Sequence, residues 1–336
     1  MSVTEPNVLK ERFMTEMQKS LALFSGTVSP DLAEKIADTL GVNLGNIRLE
    51  KFANGEIYAR YLESVRGADV FLVQSVAGDH INDALMELLM MIDAAKRASA
   101  RTITAVISHY GYARQDRKAA AREPITAKLV ADLLQAAGVN RVMTIDLHQG
   151  QIQGFFNVPV DHLTALPILA DYFKNKNLDQ DKLCVVSPDV GRAKAAKKLS
   201  DMLDADLAIM HKGRPGHNKA EITALIGEVA GKTCILNDDM IDTGGSIVAA
   251  VETLKNKGAE KIYVCCTHPV FSGPAYERMN NLDVEEVVVC DTIPVPLDKQ
   301  TGKIKVISVA PLFARAIANV YSNGSVSDLF DPDFAL

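Results

Sequence analysis

The sequence predicts an α/β protein built from two doubly wound domains, each with a parallel sheet covered by helices on both faces. Three observations predict it. Short apolar runs alternate with longer segments of helical period along most of the chain. The order strand, helix, strand, helix calls for parallel pairing, because parallel strands need a long crossover between them. The pattern then begins again in the second half, and 336 residues suffice for two domains of ordinary size.

The elements follow in order. Leu21–Phe24 reads as a strand and Asp31–Leu40 as a helix. Val70–Gln74 is a strand, followed by a helix over Asp83–Ala98. The Leu and Met residues of that helix recur at helical spacing, so they read as core rather than as a cofactor or partner surface. Thr102–Ser108, Thr126–Ala137 and Arg141–Asp146 continue as strand, helix and strand. The boundary between halves falls near Leu163–Pro167, giving a first domain over 21–165 and a second over 166–336. In the second half Leu183–Ser187 is a strand and Arg192–Leu203 a helix. Leu207–Met210, Thr233–Asn237 and Lys261–Thr267 are strands, with a helix over Gly245–Lys257. Val287–Cys290 and Lys305–Val309 are further strands, and Leu312–Tyr321 closes as a helix.

Composition narrows the function. The net charge of −6 disfavours a nonspecific nucleic-acid binder, which needs a basic face. The five cysteines form no CxxC pair and no zinc spacing, and they sit in or at the start of apolar runs. They read as buried reduced thiols of a cytoplasmic protein. Residues 1–20 mix charged and apolar side chains without a signal-peptide core, and no apolar run reaches membrane-spanning length. That segment reads as a solvated extension.

Ligands of open parallel sheets gather beyond the carboxyl ends of the strands. There the strand Thr233–Asn237 runs into Asp238-Asp239-Met240-Ile241-Asp242-Thr243-Gly244-Gly245-Ser246, and a helix follows. Three carboxylates within five residues are costly unless a cation or hydrogen-bonding groups meet them. Sugar hydroxyls and a hydrated Mg2+ ion both fit. The two glycines let backbone N–H groups converge at a helix N-terminus, which makes a phosphate cradle. A Walker A loop is absent. Gly227 to Thr233 is one residue short of that motif and precedes a strand instead of following one. The stretch resembles the signature of proteins that bind phosphoribosyl diphosphate, a group that holds both phosphoribosyltransferases and ribose-phosphate diphosphokinases.

Four further segments choose between them. His109-Tyr110-Gly111-Tyr112-Ala113-Arg114-Gln115-Asp116-Arg117-Lys118 follows one strand and offers cations for phosphates and an amide for a base edge. Asp146-Leu147-His148 follows another, ahead of Gln151 to Phe156. Ser187-Pro188-Asp189 ends a third. Lys212-Gly213-Arg214-Pro215-Gly216 opens a polar stretch that reads as a mobile basic segment suited to closing over phosphates. In this order and spacing, from Leu21 to about Phe330, the segments closely resemble the class I ribose-phosphate diphosphokinase family. Simple phosphoribosyltransferases resemble only the second half.

The resemblance implies a phosphoribosyltransferase-like fold. It also implies transfer of the β,γ-diphosphoryl group of Mg-ATP to the 1-hydroxyl of ribose 5-phosphate, giving 5-phosphoribosyl 1-diphosphate and AMP for nucleotide biosynthesis. It assigns Phe52, Asn54, Gly55, Glu56, Arg114 and Gln115 to ATP, at a site that can include a neighbouring subunit. His148 and Asp189 match metal-associated positions, with Mg2+ as the cofactor. Lys212 matches the catalytic lysine and Arg214 its neighbour. Arg214, Asp238, Asp239, Asp242, Thr243, Gly244, Gly245 and Ser246 match the ribose 5-phosphate site. Ser64 and Arg66 match a regulatory region, whereas Ala310 stands where many members carry a phosphate-binding serine. Other departures are Asn54, Asn157, Arg192, Gly213 and Asn237; Arg192 replaces a second glycine after Gly191, and Gly213 replaces a common arginine. A homo-hexamer is implied, with no nucleic-acid or membrane partner. The alternatives are a phosphoribosyltransferase and a non-catalytic regulatory relative; intact Lys212, Arg214, Asp238 and Asp242 speak against the latter.

Overall fold

Fourteen strands and eight α-helices fall among the described residues of the computed structural model, which are 20–213, 221–300, 302–326 and 329. In the first half these are β1 (Leu21–Ser25), α1 (Pro30–Leu40), β2 (Ile47–Lys51), β3 (Ile57–Tyr61), β4 (Asp69–Val73), α2 (Ile81–Arg97), β5 (Thr102–Ile107), α3 (Thr126–Ala137), β6 (Arg141–Ile145) and β7 (Val160–Leu163). The second half holds α4 (Leu166–Lys174), β8 (Leu183–Ser187), α5 (Ala193–Met202), β9 (Asp206–Gly213), β10 (Glu221–Ile226), β11 (Thr233–Ile241), α6 (Gly245–Asn256), β12 (Lys261–Pro269), α7 (Ala275–Asn281), β13 (Glu286–Cys290), β14 (Ile304–Ile307) and α8 (Ala310–Ser322).

The first sheet has the order β1-β4-β5-β6-β7 and is parallel throughout. The second has the order β10-β9-β8-β11-β12-β13-β14, with β10 alone antiparallel. The strand pattern explains why both sheets are covered. In β5, Ile103, Ala105 and Ile107 face the core under α2 and α3, while Val106 faces the opposite core. Likewise Cys184 and Val186 of β8 join the α6 and α7 side, and Leu183 and Val185 the other. Period-two alternation with both faces apolar is the mark of a fully buried parallel strand.

One contiguous core joins the two sheets. It takes Leu23, Phe71 and Met143 from the first, Val185, Ile235 and Val288 from the second, and apolar faces of α1, α4, α5 and α8. The last helix packs against α1 through this core, with Phe313 and Ile317 fully buried. Polar contacts reinforce the junction: Lys35 Nζ lies 2.8 Å from Asp291 Oδ2, and Ser108 Oγ donates to the Thr292 carbonyl at 2.7 Å.

The structure corrects the sequence pattern at several points. The β2–β3 hairpin, β7, β10, α4 and α7 are additional elements. The hairpin strands are half-exposed and carry charges in their alternation, so they lack an apolar run. β10 makes the second sheet mixed. β9 continues through Gly213 and pairs Lys212 with Ile222, so the basic stretch begins inside a ladder rather than after it. β11 continues to Ile241 because its pairing with β12 extends past the apolar segment, with Asp238 opposite Cys266 and Met240 opposite His268. The acidic pair is therefore part of a strand. All five cysteines are buried and free.

Candidate active site

The carboxyl ends of β6, β8 and β11 surround a cavity of about 380 Å3, closed on one side by the loop after β5. Asp238 and Asp239 stand at its floor, in the last turns of pleat of β11. The backbone N–H of Asp239 donates to Asp238 Oδ1 at 2.8 Å. His148 Nδ1 lies 2.7 Å from Asp239 Oδ2. An ionised carboxylate only accepts, so Nδ1 carries a proton, and in the neutral ring Nε2 is then the lone-pair nitrogen.

The two carboxyls differ. Burial pushes Asp238 well above the usual carboxylate range, and the adjacent Asp239 charge adds to the shift. Burial would also raise Asp239, but the His148 hydrogen bond and the Arg192 charge outweigh it and hold Asp239 below that range. The ionised form is therefore favoured more strongly at Asp239 than at Asp238. Floor and cradle together offer two carboxyls and an anion-binding loop within one cavity.

His148 is held by its neighbours. Two residues earlier, Asp146 adopts a left-handed backbone (φ 39°), an uncommon state for a residue with a side chain. Its carboxyl accepts from Thr267 Oγ1 at 2.7 Å and from the Ala165 N–H at 2.9 Å. His268 Nε2 lies 3.1 Å from the Asp146 carbonyl, and Nδ1 lies 2.9 Å from Thr292 Oγ1. Burial lowers the His268 pKa and favours the neutral ring. Thr292 Oγ1 donates its one proton to the Thr267 carbonyl at 2.8 Å, so it faces His268 Nδ1 as an acceptor. Residues from both sheets therefore fix the turn that presents His148.

The glycine loop lies beside the acid pair. Gly244 has φ 77°, and a Cβ there would meet Met279 Cε at 2.8 Å, so a side chain would be both strained and crowded. The loop opens α6, whose first N–H groups at Gly245, Ser246 and Ile247 have no intrahelical acceptor. They converge where an anion is favoured. Arg278 Nη1 donates to the Thr243 carbonyl at 2.7 Å and anchors the loop from α7. Arg114 Nη1 reaches Asp242 Oδ2 at 2.8 Å from the other half of the molecule.

Arg114, His148, Asp189, Asp238, Asp239, Asp242 and the Thr243 to Ser246 loop thus line one cavity. Several other sequence candidates lie elsewhere. Phe52, Asn54, Gly55 and Glu56 form the exposed tip of the β2–β3 hairpin, where Phe52 stacks obliquely near Tyr58 and Asn54 Oδ1 accepts from the Glu56 N–H. Gln115 accepts from Thr126 Oγ1 at the start of α3. Ser64 and Arg66 are exposed between β3 and β4. The side chain of Lys212 and the whole of Arg214 lie outside the described residues. Two arginines were not among the sequence candidates. Arg192, in the turn before α5, lines the cavity beside the acid pair, and Arg278 holds the glycine loop. The departure at Arg192 was visible in the sequence; Arg278 carried no signal, because a lone arginine on a short amphipathic helix is ordinary.

Comparison with known proteins bears on this arrangement. Residues 21–138 match a family model described as the N-terminal domain of ribose phosphate pyrophosphokinase. Residues 214–331 match one described as the phosphoribosyl synthetase-associated domain. The ribose-phosphate pyrophosphokinase of Clostridium acetobutylicum is 54% identical over 94% of this chain and 98% of its own length. That of Bacillus subtilis is 51% identical over 93% of this chain and 98% of its own. The crystal structure of phosphoribosylpyrophosphate synthetase from Mycobacterium smegmatis superposes with a TM-score of 0.86 at 46% identity, covering 91% of this chain and 100% of that one. A likeness of this strength runs along more than nine-tenths of the chain, and the chain belongs to the ribose-phosphate pyrophosphokinase family.

Proposed function

We propose that this chain transfers the β,γ-diphosphoryl group of Mg-ATP to the 1-hydroxyl of ribose 5-phosphate, forming 5-phospho-α-D-ribose 1-diphosphate and AMP. The observation that carries this reading is the cavity in which an acidic pair adjoins an anion-binding glycine loop, in a chain of this family. The loop from Thr243 to Ser246 takes the 5-phosphate on its N–H groups. Asp238 and Asp239 orient the ribose hydroxyls. The 1-hydroxyl oxygen attacks the β-phosphorus in line, the bond to the α-phosphate oxygen breaks, and AMP leaves with that electron pair. Lys212 and Arg214 offset the charge that develops on the transferred and leaving groups. Positioning by the loop and the acid pair supplies much of the acceleration.

The donor set fits Mg2+. Asp189, Asp238 and Asp239 offer carboxyl oxygens and His148 a ring nitrogen. No ready-made cage of three or more His, Cys, Asp or Glu side chains occurs among the described residues. Mg2+ ordinarily keeps several waters and is held by one or two carboxylates together with substrate phosphates, so a cage is not needed. When bound, the ion offsets phosphate charge.

ATP is assigned to Arg114, Gln115 and the hairpin tip at Phe52, Asn54, Gly55 and Glu56. The tip is exposed and does not line the cavity of its own chain, which supports completion of the site by a neighbouring copy in a hexamer. Ser64 and Arg66, exposed after β3, are the proposed regulatory contact. Cytoplasmic residence suits five free buried thiols. Among the described residues no helix is long and apolar enough to cross a membrane.

ATP labelled separately at the β- and γ-phosphorus tests the reading. Both labels should pass together to the sugar product. Movement of the γ label alone would show ordinary kinase chemistry and refute it.

A further inference from the structure

Three successive carbonyls at the entrance to the glycine loop are taken by one neighbouring segment. The Ile241 carbonyl accepts from the Phe271 N–H at 2.9 Å, and the Asp242 carbonyl from the Ser272 N–H at 3.1 Å. The Thr243 carbonyl accepts from Arg278 Nη1 at 2.7 Å. In a trans peptide the N–H points opposite to the carbonyl of the same unit. The N–H groups of Asp242, Thr243 and Gly244 are therefore turned away from the segment 271–278. Their partner oxygens, which would repel an anion, are engaged elsewhere.

That segment is itself held under strain. Phe271 adopts a left-handed backbone (φ 47°), an uncommon and costly state for a bulky residue. It is buried, and its ring meets Tyr276 edge-on with centroids 4.9 Å apart. Ser272 comes next and is exposed, so it fills no core. Its hydroxyl hydrogen-bonds the Asp242 carboxyl, whose Oδ2 lies 2.8 Å from Arg114 Nη1. Two donors thus hold this carboxyl. Asp242 lines the same cavity as the loop from Thr243 to Ser246. A carboxylate free to turn there would share the cavity with a phosphate, and like charges at close range repel.

We propose that Ser272 is a positioning residue for the 5-phosphate site: its hydroxyl keeps the Asp242 carboxyl on Arg114 and out of the loop that takes the phosphate, while its N–H fixes the Asp242 carbonyl. This rests on the proposed reaction and adds to it a residue that does not itself line the cavity. It acts through Asp242, and the charge of Asp242 is what has to be held. The role differs from plain support of the fold in what it affects. A residue that only supported the fold would alter stability, or both substrates alike. One that restrains this carboxylate acts on the ligand whose phosphate sits beside it, and only while the carboxylate is there.

Steady-state kinetics of the full chain separate the two, with ribose 5-phosphate and Mg-ATP varied in turn and thermal unfolding measured beside them. Ser272→Ala should raise KM for ribose 5-phosphate about three- to tenfold, the scale of one hydrogen bond to a charged group. KM for ATP and kcat should stay within about twofold, and the melting temperature within about 2 °C. Ser272→Thr keeps the hydroxyl and should behave as the unaltered protein does. In an Asp242→Asn background, Ser272→Ala should have little further effect, because the charge to be held is gone. An unchanged KM for ribose 5-phosphate, equal rises for both substrates, or the same rise in the Asp242→Asn background would overturn the proposal. Failure of the unaltered protein to form AMP would instead remove the reaction itself, and this role with it.

Discussion

Arg114 Nη1 and Asp242 Oδ2 lie 2.8 Å apart, joining the loop after β5 to the loop before α6 and so one half of the molecule to the other. The pair is partly exposed, so its own contribution to stability is no more than about 1 kcal/mol. Its value lies in position. Asp242 is held below the usual carboxylate range; burial would raise it, but hydrogen bonds from Ser272 and Arg114 outweigh that. Arg114→Ala should leave thermal unfolding nearly unchanged while raising KM for ATP about tenfold or more, the scale of one lost charge-assisted bond. A large fall in melting temperature with unchanged KM would assign Arg114 to structure alone.

Arg278 tests the loop on its own. Its guanidinium donates to the Thr243 carbonyl, and Gly244 beside it needs a left-handed backbone. Arg278→Ala should raise KM for ribose 5-phosphate several-fold with a smaller effect on kcat, because the N–H cradle loses its anchor. Gly244→Ala should do more. The backbone strain alone is about 1–2 kcal/mol, and Met279 must also move. Steady-state kinetics with ribose 5-phosphate varied reads both; unaltered KM in the two variants would remove the loop from the sugar-phosphate site.

The turn that presents His148 depends on Thr267, across the sheet boundary. Thr267→Val keeps the shape but removes a donor from the Asp146 carboxyl, leaving the Ala165 N–H. A shift of about 1 kcal/mol in unfolding by urea should follow. Turnover should fall as well, since His148 follows Asp146 by two residues. Unchanged turnover at reduced stability would show that the network supports the fold without tuning the site.

The thiols give an independent check on the core. Burial pushes Cys265 up to about 12, and Cys266 and Cys290 well above the usual thiol range. Labelling with iodoacetamide at pH 8 should modify none of the five in the native protein and all five once it is unfolded, because burial closes access to every one of them. Rapid labelling of any of them before unfolding would contradict the packing described.

How far the sequence leads can be judged residue by residue. Fully buried strands such as Val70 to Val73 are plain, since nothing but an apolar run survives between two helix layers. Strands β2 and β3 are not, because a half-exposed hairpin mixes charge with alternation. The end of β11 was placed at Asn237, though the strand reaches Ile241. Hydrogen bonding to β12 decides that, and a carboxylate run hides it. At the site, the glycine loop and acid pair are legible because their chemistry is local. The contact between His148 and Asp239 joins residues 91 apart, and no spacing rule reports it. Arg192 shows in the sequence only as a departure; its place beside both carboxyls comes from the turn after β8 lying next to β11.

The most direct measurement is of the nucleotide product. Purified protein mixed with ATP, Mg2+ and ribose 5-phosphate, with inorganic phosphate present, should release AMP in equal amount to 5-phosphoribosyl 1-diphosphate, and neither should form without the sugar. Release of ADP, or no sugar-dependent nucleotide product from folded protein, would contradict diphosphoryl transfer.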